Sequence, residues 1–383
     1  MNKYVFEQRE YILKALTPVH VGYGDVVDVF NFVVDPQKSS ILILDMDKFY
    51  ACLSSKDRER LINICKKGEL YSIVELYKFM ASQLNMIKSN SGIVVEEIKV
   101  CRGFLSHYDK VKSLPRDKLK ELNRFQIFKF AINPNLKHPI IPGSSLKGSI
   151  RTAVLNYYRH RASKRDYEPK EADKLEKDIL GYTEVHEDIM KFLKVSDFLP
   201  LKDVKTKIVY AINRKKDGKR ASGPYQMFEI IEPGAEFRGT ISVVRADERF
   251  SFEIIEKAIK DFYEKIYKSE DEIYKRIGTK RIPVCSHLPL KVGRHSSAEA
   301  VTIEGFRKIK IKTGENRYLT KDKATTLWLC SEYPRPKNNE ILMPMGWMEL
   351  IPSNLKDLKL HKDKKDSIDI SVLQSKFRVK IIS

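Results

Sequence analysis

Residues 141–151 read IPGSSLKGSIR, a Gly/Ser loop that runs directly into a helix. Leu146, Ile150, Val154 and Tyr157 fall at helical spacing and predict its inward face. Lys147 and Arg151, four apart, share another face. A helix start of this kind leaves backbone N–H groups unpaired at the positive end of the helix dipole, which suits an anion such as phosphate. Gly143 and Gly148 have the G-x-x-x-x-G spacing of a nucleotide-binding loop. That chemistry needs Lys and then Ser/Thr right after the second glycine, and here Ser149 and Ile150 follow, so an NTPase is set aside. The plain alternative is a helix start capped by Ser144 or Ser145.

Upstream, YILKAL, the turn-rich TPVHVGYGD and VVDVFNFVVD read as strand, turn and strand over 10–34, followed by the short apolar strand SILILD. Helical periodicity spans 47–85, with breaks at Ser54-Ser55 and Lys67-Gly68. Strand patterns return over 96–133. Downstream, FLKVSDFLPL is a short strand ending in a turn. VKTKIVYAINRKKDGKR is a longer strand whose Asp217-Gly218 pair signals a hairpin. The return strand YQMFEIIEPGAEFRGTISVV is split at Pro233-Gly234, one amphipathic helix covers 252–276, and LKVGRHSSAEAV is a second Gly/Ser-rich loop before the strand GWMELI. Close strand pairs without a regular strand–helix–parallel-strand rhythm predict an α+β fold with antiparallel sheets. The Lys-rich tail at 355–380 ends in strand-like SIDISVLQ and is expected to be ordered.

The 383 residues carry 71 Lys+Arg against 51 Asp+Glu, a net charge of +20 with 42% hydrophobic residues. A core is thus within reach, and a polyanion is the natural partner. A solubilising charge mixture of the heat-adapted kind would interleave its signs. Instead, residues 134–165 hold seven Lys or Arg and no acid, and 204–221 hold seven against Asp217 alone. Cys52, Cys65, Cys101, Cys285 and Cys330 form no C-x-x-C pair, so neither a disulfide framework nor a zinc site is expected. With no apolar h-region at the N-terminus and no long apolar run, the expected location is cytoplasmic, away from any membrane.

The run PGSSLKGSIR resembles the glycine-rich signature of the RAMP superfamily of CRISPR proteins. LTPVHVGYGD (16–25), KVSDF (194–198) and EPGAEFRGTI (232–241) are similar to further RAMP segments. KVGRHSSAEAVT (291–302) with GWMEL (346–350) looks most like the fifth protein of the type III-A Csm effector complex. The resemblance implies two ferredoxin-like, RRM-like modules with Gly-rich loops and helical insertions, one over 1–135 and the other over 136–383. It also implies a non-catalytic subunit without cofactor that binds crRNA and caps its 3′ side. Its partners would be the other Csm subunits, above all the repeating backbone RAMP subunit, together with target RNA and maturation nucleases. Carried over by position, Gly143, Ser144, Ser145, Lys147, Gly148 and Arg151 would touch crRNA phosphates, and Gly293, Arg294, His295 and Ser296 would form a second contact. The basic hairpin tip Asn213, Arg214, Lys215, Lys216, Lys219 and Arg220 has the character of the family's RNA-engaging thumb.

Two other readings stay open. Some RAMP endoribonucleases use a histidine near the first strand as general acid or base without metal, and His20 occupies that place; otherwise it orients its turn and adjoins RNA. A repeating backbone subunit is the second, with Asp25 and Asp28 nearest to its catalytic aspartate. Asp45-Met46-Asp47 could mimic a metal-binding pair, but as a strand end with Asp47 capping the next helix it needs no metal. His186, His287 and His295 lack a ligand spacing.

Overall fold

The first strand, β1 (Val5–Ala15), buries Tyr11, Leu13 and Ala15 at every second position, the pattern of a strand with one face on a core. After it come β2 (Val26–Val27), β3 (Phe32–Asp35), β4 (Ser40–Leu44) and the helices α1 (Met46–Cys52), α2 (Ser55–Lys66), α3 (Ser72–Ser82) and α4 (Leu84–Ser89). β5 (Val94–Val100), α5 (Phe104–Lys112) and β6 (Ile127–Phe128) lead to α6 (Gly143–Tyr158), which begins inside the Gly/Ser run. Next are α7 (Ala172–Leu180), β7 (Leu193–Val195), β8 (Leu199–Pro200), β9 (Thr206–Lys215), β10 (Gln226–Ile231), β11 (Glu236–Arg245) and α8 (Phe252–Arg276). The last elements are β12 (Leu288–Lys291), β13 (Ile309–Gly314), β14 (Arg317–Lys321), β15 (Thr326–Ser331) and β16 (Trp347–Pro352). This computed structural model describes residues 5–163, 166–221, 223–245, 250–314, 317–337 and 339–353, so the Lys-rich tail lies outside the described residues. Among those residues no helix is long and apolar enough to cross a membrane.

One sheet has the order β12-β16-β1-β11-β7, with β8 also on β11, and is antiparallel throughout. Taken in chain order, β1-α6-β7-β11-α8-β16 is strand, helix, two strands, helix, strand, with the fourth strand beside the first and the third between first and second. That is a ferredoxin-like arrangement. Helices α6 and α8 pack on each other, α6 against β7 and α8 against β12.

The second sheet, β2-β6-β10-β9-β5-β4-β3 with β15 also on β9, does not repeat that order. It is mixed rather than antiparallel, because β6 runs parallel to β10 and β5 parallel to β9. Parallel neighbours need a long crossover, and here the chain supplies it by passing through α6, α7 and the first sheet before returning. Strand β9 holds β10 along one edge, and β5 and then β15 end to end along the other. Both sheets take strands from either side of residue 135, the expected boundary, so the units interleave in sequence.

Asp45, not Asp47, caps α1, its carboxylate accepting the Lys48 N–H at 3.2 Å. Ser54 caps α2 at the predicted break. The Pro233-Gly234 split proves to be a change of sheet. With Gly234 at φ +93° the chain turns from β10 in the second sheet to β11 in the first, and the Gly234 N–H is accepted by the Ala15 carbonyl at the end of β1.

Candidate nucleic-acid interface

Three loops far apart in sequence line one open cleft of about 480 Å³: the turn at 20–25, the first turns of α6, and residues 293–301. Their backbones are knitted together. The Arg294 N–H donates to the His20 carbonyl at 2.9 Å, and the Gly346 N–H donates to the Pro18 carbonyl at 2.9 Å. The Gly346 carbonyl accepts the Val292 N–H, and Thr17 Oγ1 accepts the Trp347 N–H, each at 2.9 Å. Gly293, at φ +88°, passes so close that a Cβ there would lie 2.1 Å from the His20 carbonyl oxygen. Only glycine meets both demands. The Ser296 hydroxyl closes the loop on the Gly293 carbonyl at 2.6 Å.

Helix α6 is anchored on the opposite wall. The Asp197 carboxylate accepts the Gly143 N–H at 2.8 Å, and a Cβ on Gly143 would come within 2.3 Å of the Val195 carbonyl. The N-cap position is therefore Pro142, without a side-chain cap from Ser144 or Ser145. A carboxylate of the chain itself already holds the first N–H of the expected anion seat. Ser149 donates to the Lys291 carbonyl at 2.6 Å, and the Tyr263 hydroxyl to the Ser149 carbonyl at 3.1 Å. Gly148 faces open space, with nothing within 4 Å of a Cβ built on it.

Of the residues expected to touch RNA, the cleft gathers His20, Ser145, Gly148, Gly293, Arg294 and Ser296. Arg294 is the exposed cation among them. Its guanidinium lies 4.4 Å from the Phe128 ring centroid and 5.4 Å from that of Phe228, and among the described residues no carboxylate pairs with it. The two cations of α6 are engaged elsewhere. Lys147 donates to the Leu193 carbonyl at 2.9 Å, and burial, reinforced by Lys194, lowers its pKa. Arg151 is clamped by Glu176 at 2.5 Å and Asp188 at 2.8 Å. Ser144 is exposed outside the cleft lining.

His295, in a left-handed conformation at φ +64°, turns inward, where its ring stacks on Trp328 at 4.1 Å and Nε2 lies 3.0 Å from Gln226 Oε1. The basic hairpin turns at Asp217-Gly218 as predicted, but its tip folds back on the body. Lys216 pairs with Glu299 at 2.6 Å, Arg220 donates to the Pro336 carbonyl, and Gly218 rests on Ile277. Arg214 pairs its strand with β15, while Lys215 and Lys219 stay exposed.

His20 is buried between Phe130 and Phe228, and its Nδ1–H donates to the Glu229 carbonyl at 2.7 Å. Burial pulls its pKa down to about 4 against the opposing pull of that carbonyl, and Arg294 adds to the drop. Burial likewise holds His107 at about 4 and His295 at about 3. The unfolded chain protonates all three near pH 6.5. Between there and about pH 4 it binds more protons than the folded state, so stability is complete above pH 6.5 and is lost as pH falls toward 4. Denaturant midpoints measured across that window will fall with acid, and His295→Gln will flatten the slope.

Several lining residues were not singled out from the sequence. The Lys129 ammonium sits between Glu96 at 2.5 Å and the buried Glu229 at 3.4 Å. Tyr23 stands 62% exposed at the rim. Its signal was present in VGYGD, where an aromatic between two turn glycines has no core to enter.

Residues 12–282 match the RAMP superfamily. A curated relative, CRISPR system Cms protein Csm5 of Methanocaldococcus jannaschii, is 25% identical over 260 residues, covering 65% of this chain and 55% of the relative. The chain thus spans about half the length of the curated relative it matches. Among solved structures, a chain from a cryo-EM Csm-crRNA-target RNA ternary complex of a type III-A CRISPR-Cas system aligns with a TM-score of 0.57 and 21% identity, over 89% of this chain and all of that one. The crystal structure of T. onnurineus Csm5 aligns with a TM-score of 0.51 and 19% identity, over 88% of this chain and 99% of that one. At these identities the two likenesses establish a shared fold.

Proposed function

The chain belongs to the RAMP superfamily, and on that premise we propose that it is a non-catalytic, crRNA-binding subunit of a type III-A Csm effector complex. It sits on the 3′ side of the guide, abuts the backbone RAMP subunit and supports guide maturation and antiviral defence. Similarity to Csm5 and to a chain of a crRNA-containing complex supports the reading. The observation that carries it is the cleft. Three Gly-rich loops meet there around an exposed Arg294 backed by aromatic rings, a cation placed for a phosphate beside backbone open to close approach.

His20 serves this site as a brace between the turn and β10. Proton transfer to a ribose hydroxyl calls for a ring presented to the substrate, whereas this ring is buried between two phenylalanines with Nδ1–H spent on a carbonyl. His20→Gln should therefore lower stability without creating or abolishing RNA cleavage.

Arg294→Glu should weaken binding of a fluorescein-labelled single-stranded RNA about tenfold, the scale of one lost charge-assisted hydrogen bond. The slope of log affinity against log salt should become shallower by about 0.7. Lys147→Gln should leave affinity unchanged, because its ammonium already serves Leu193. Unaltered binding in Arg294→Glu would overturn the assignment of the cleft. Metal-free cleavage of crRNA precursor, lost in His20→Gln, would replace the reading with a processing ribonuclease. Several copies per assembled complex in native mass spectrometry would replace it with a repeating backbone subunit.

A further inference from the structure

Strands β13 and β14 pair with each other and with no other described strand. An isolated two-stranded ribbon is at best marginally stable in water, so a second contact is expected to hold it when the protein works. Residues directly opposite in an antiparallel pair share a face. Lys312 faces Tyr318 and Lys310 faces Thr320, so one face presents two lysines, a tyrosine and a threonine, all exposed, with Tyr318 61% accessible. Arg317 and Lys321 are exposed on the opposite face of the ribbon, and among the described residues no carboxylate pairs with any of the four cations.

We infer that this ribbon is a second RNA-contacting arm, in which Tyr318 stacks on an unpaired base while Lys310 and Lys312 hold the flanking phosphates. The inference rests on the RNA-binding reading above and extends it beyond the cleft. Charge complementarity selects the occupant, since a face that carries two lysines and, among the described residues, no acid suits a polyanion. Tyr318 selects a single strand, because a base can leave its stack for a protein ring only where it is unpaired.

The ribbon is rooted beside the cleft. Ala300 and Val301 line the cleft, and only residues 302–308 separate them from β13. Glu299 ties both ends of that root, accepting the Ala324 N–H at 2.9 Å and the Lys216 ammonium at 2.6 Å. Two further bonds fix the chain between. Arg307 donates to Thr302 Oγ1 at 3.1 Å, and Lys308 pairs with Asp166 at 2.9 Å. The ribbon is thus the next strand pair along the chain after the cleft wall at Val301.

The test uses the full chain and a fluorescein-labelled single-stranded RNA, with a 4-thiouridine-substituted copy for photo-crosslinking. Tyr318→Ala should weaken binding about tenfold, as loss of one stacked base does, while Tyr318→Phe keeps wild-type affinity. Lys310→Ser with Lys312→Ser should make the salt slope shallower by about 1.4, and crosslinked RNA should be recovered on the peptide that contains Tyr318. All three side chains are exposed, so the fold is retained and the melting midpoint serves as the check. Wild-type affinity and slope in these variants, with Arg294→Glu still weakened, would overturn the arm and leave the cleft standing. Wild-type affinity in Arg294→Glu as well would remove the RNA-binding reading itself. Unchanged RNA affinity with loss of a co-assembling protein subunit would make the ribbon a protein contact and overturn the inference.

Discussion

Gly293→Ala will disconnect the late loop from the turn after β1, lowering stability by about 3 kcal/mol or more and weakening RNA binding at least as much as Arg294→Glu does. The new Cβ would stand 2.1 Å from the His20 carbonyl oxygen, the atom that accepts the Arg294 N–H. Relief requires the loop to swing away, and Arg294 leaves its place over Phe128 with it. Strain adds to the clash, because φ +88° is unfavourable for alanine. Gly148→Ala is the contrasting substitution. That glycine lies inside α6 with empty space where its Cβ would be, so alanine should raise stability by about 0.5–1 kcal/mol through helix propensity. If RNA affinity falls even so, the glycine is there to let a phosphate approach the helix backbone. Denaturant titration and fluorescence anisotropy on the two variants read both effects, and a Gly293→Ala protein with native stability would refute the argument.

The second large effect concerns Lys291, only 3% exposed, and Glu270 on α8, paired at 2.7 Å. The carboxylate also accepts the Trp347 indole N–H and the Tyr274 hydroxyl, each at 3.0 Å. One buried pair thereby joins α8, β12 and β16. Lys291→Met leaves a buried carboxylate without its cation, and Glu270→Gln leaves a buried ammonium without its anion. Each should cost about 3–5 kcal/mol. The double variant removes both charges, while glutamine still accepts from Trp347 and Tyr274, so it should recover much of the loss. Urea unfolding of the four proteins gives the coupling; simple additivity of the single losses would show that the pair is not coupled.

Local chemistry was legible in the sequence wherever one segment decides it. The bounds of α8, the turn at Asp217-Gly218, the break before α2 and the glycines of the cleft all follow from short-range rules. Partners across the fold were not legible. Spacing put Lys147 and Arg151 on one face of α6, but it could not show that Glu176 and Asp188 would claim the guanidinium or Leu193 the ammonium. Likewise, a return strand broken at Pro233-Gly234 reads as one strand with a kink. Only the pairing of β10 with β9, and of β11 with β1, shows that its halves serve different sheets. The inward turn of His295 was not legible either, because it depends on Trp328 and Gln226, which come from two other strands.

The placement of β1 also bears on how the chain is made. It is the earliest described strand to leave the ribosome, yet its neighbours are β11 and β16, and the turn that follows it is clasped by Gly293, Gly346 and Trp347. At roughly 5–20 residues per second, that first strand waits on the order of tens of seconds for its second neighbour. A nascent or truncated chain that ends before Gly346 has neither the completed sheet nor the clasp. On the proposed function, the RNA cleft is complete only in chains that extend past Trp347.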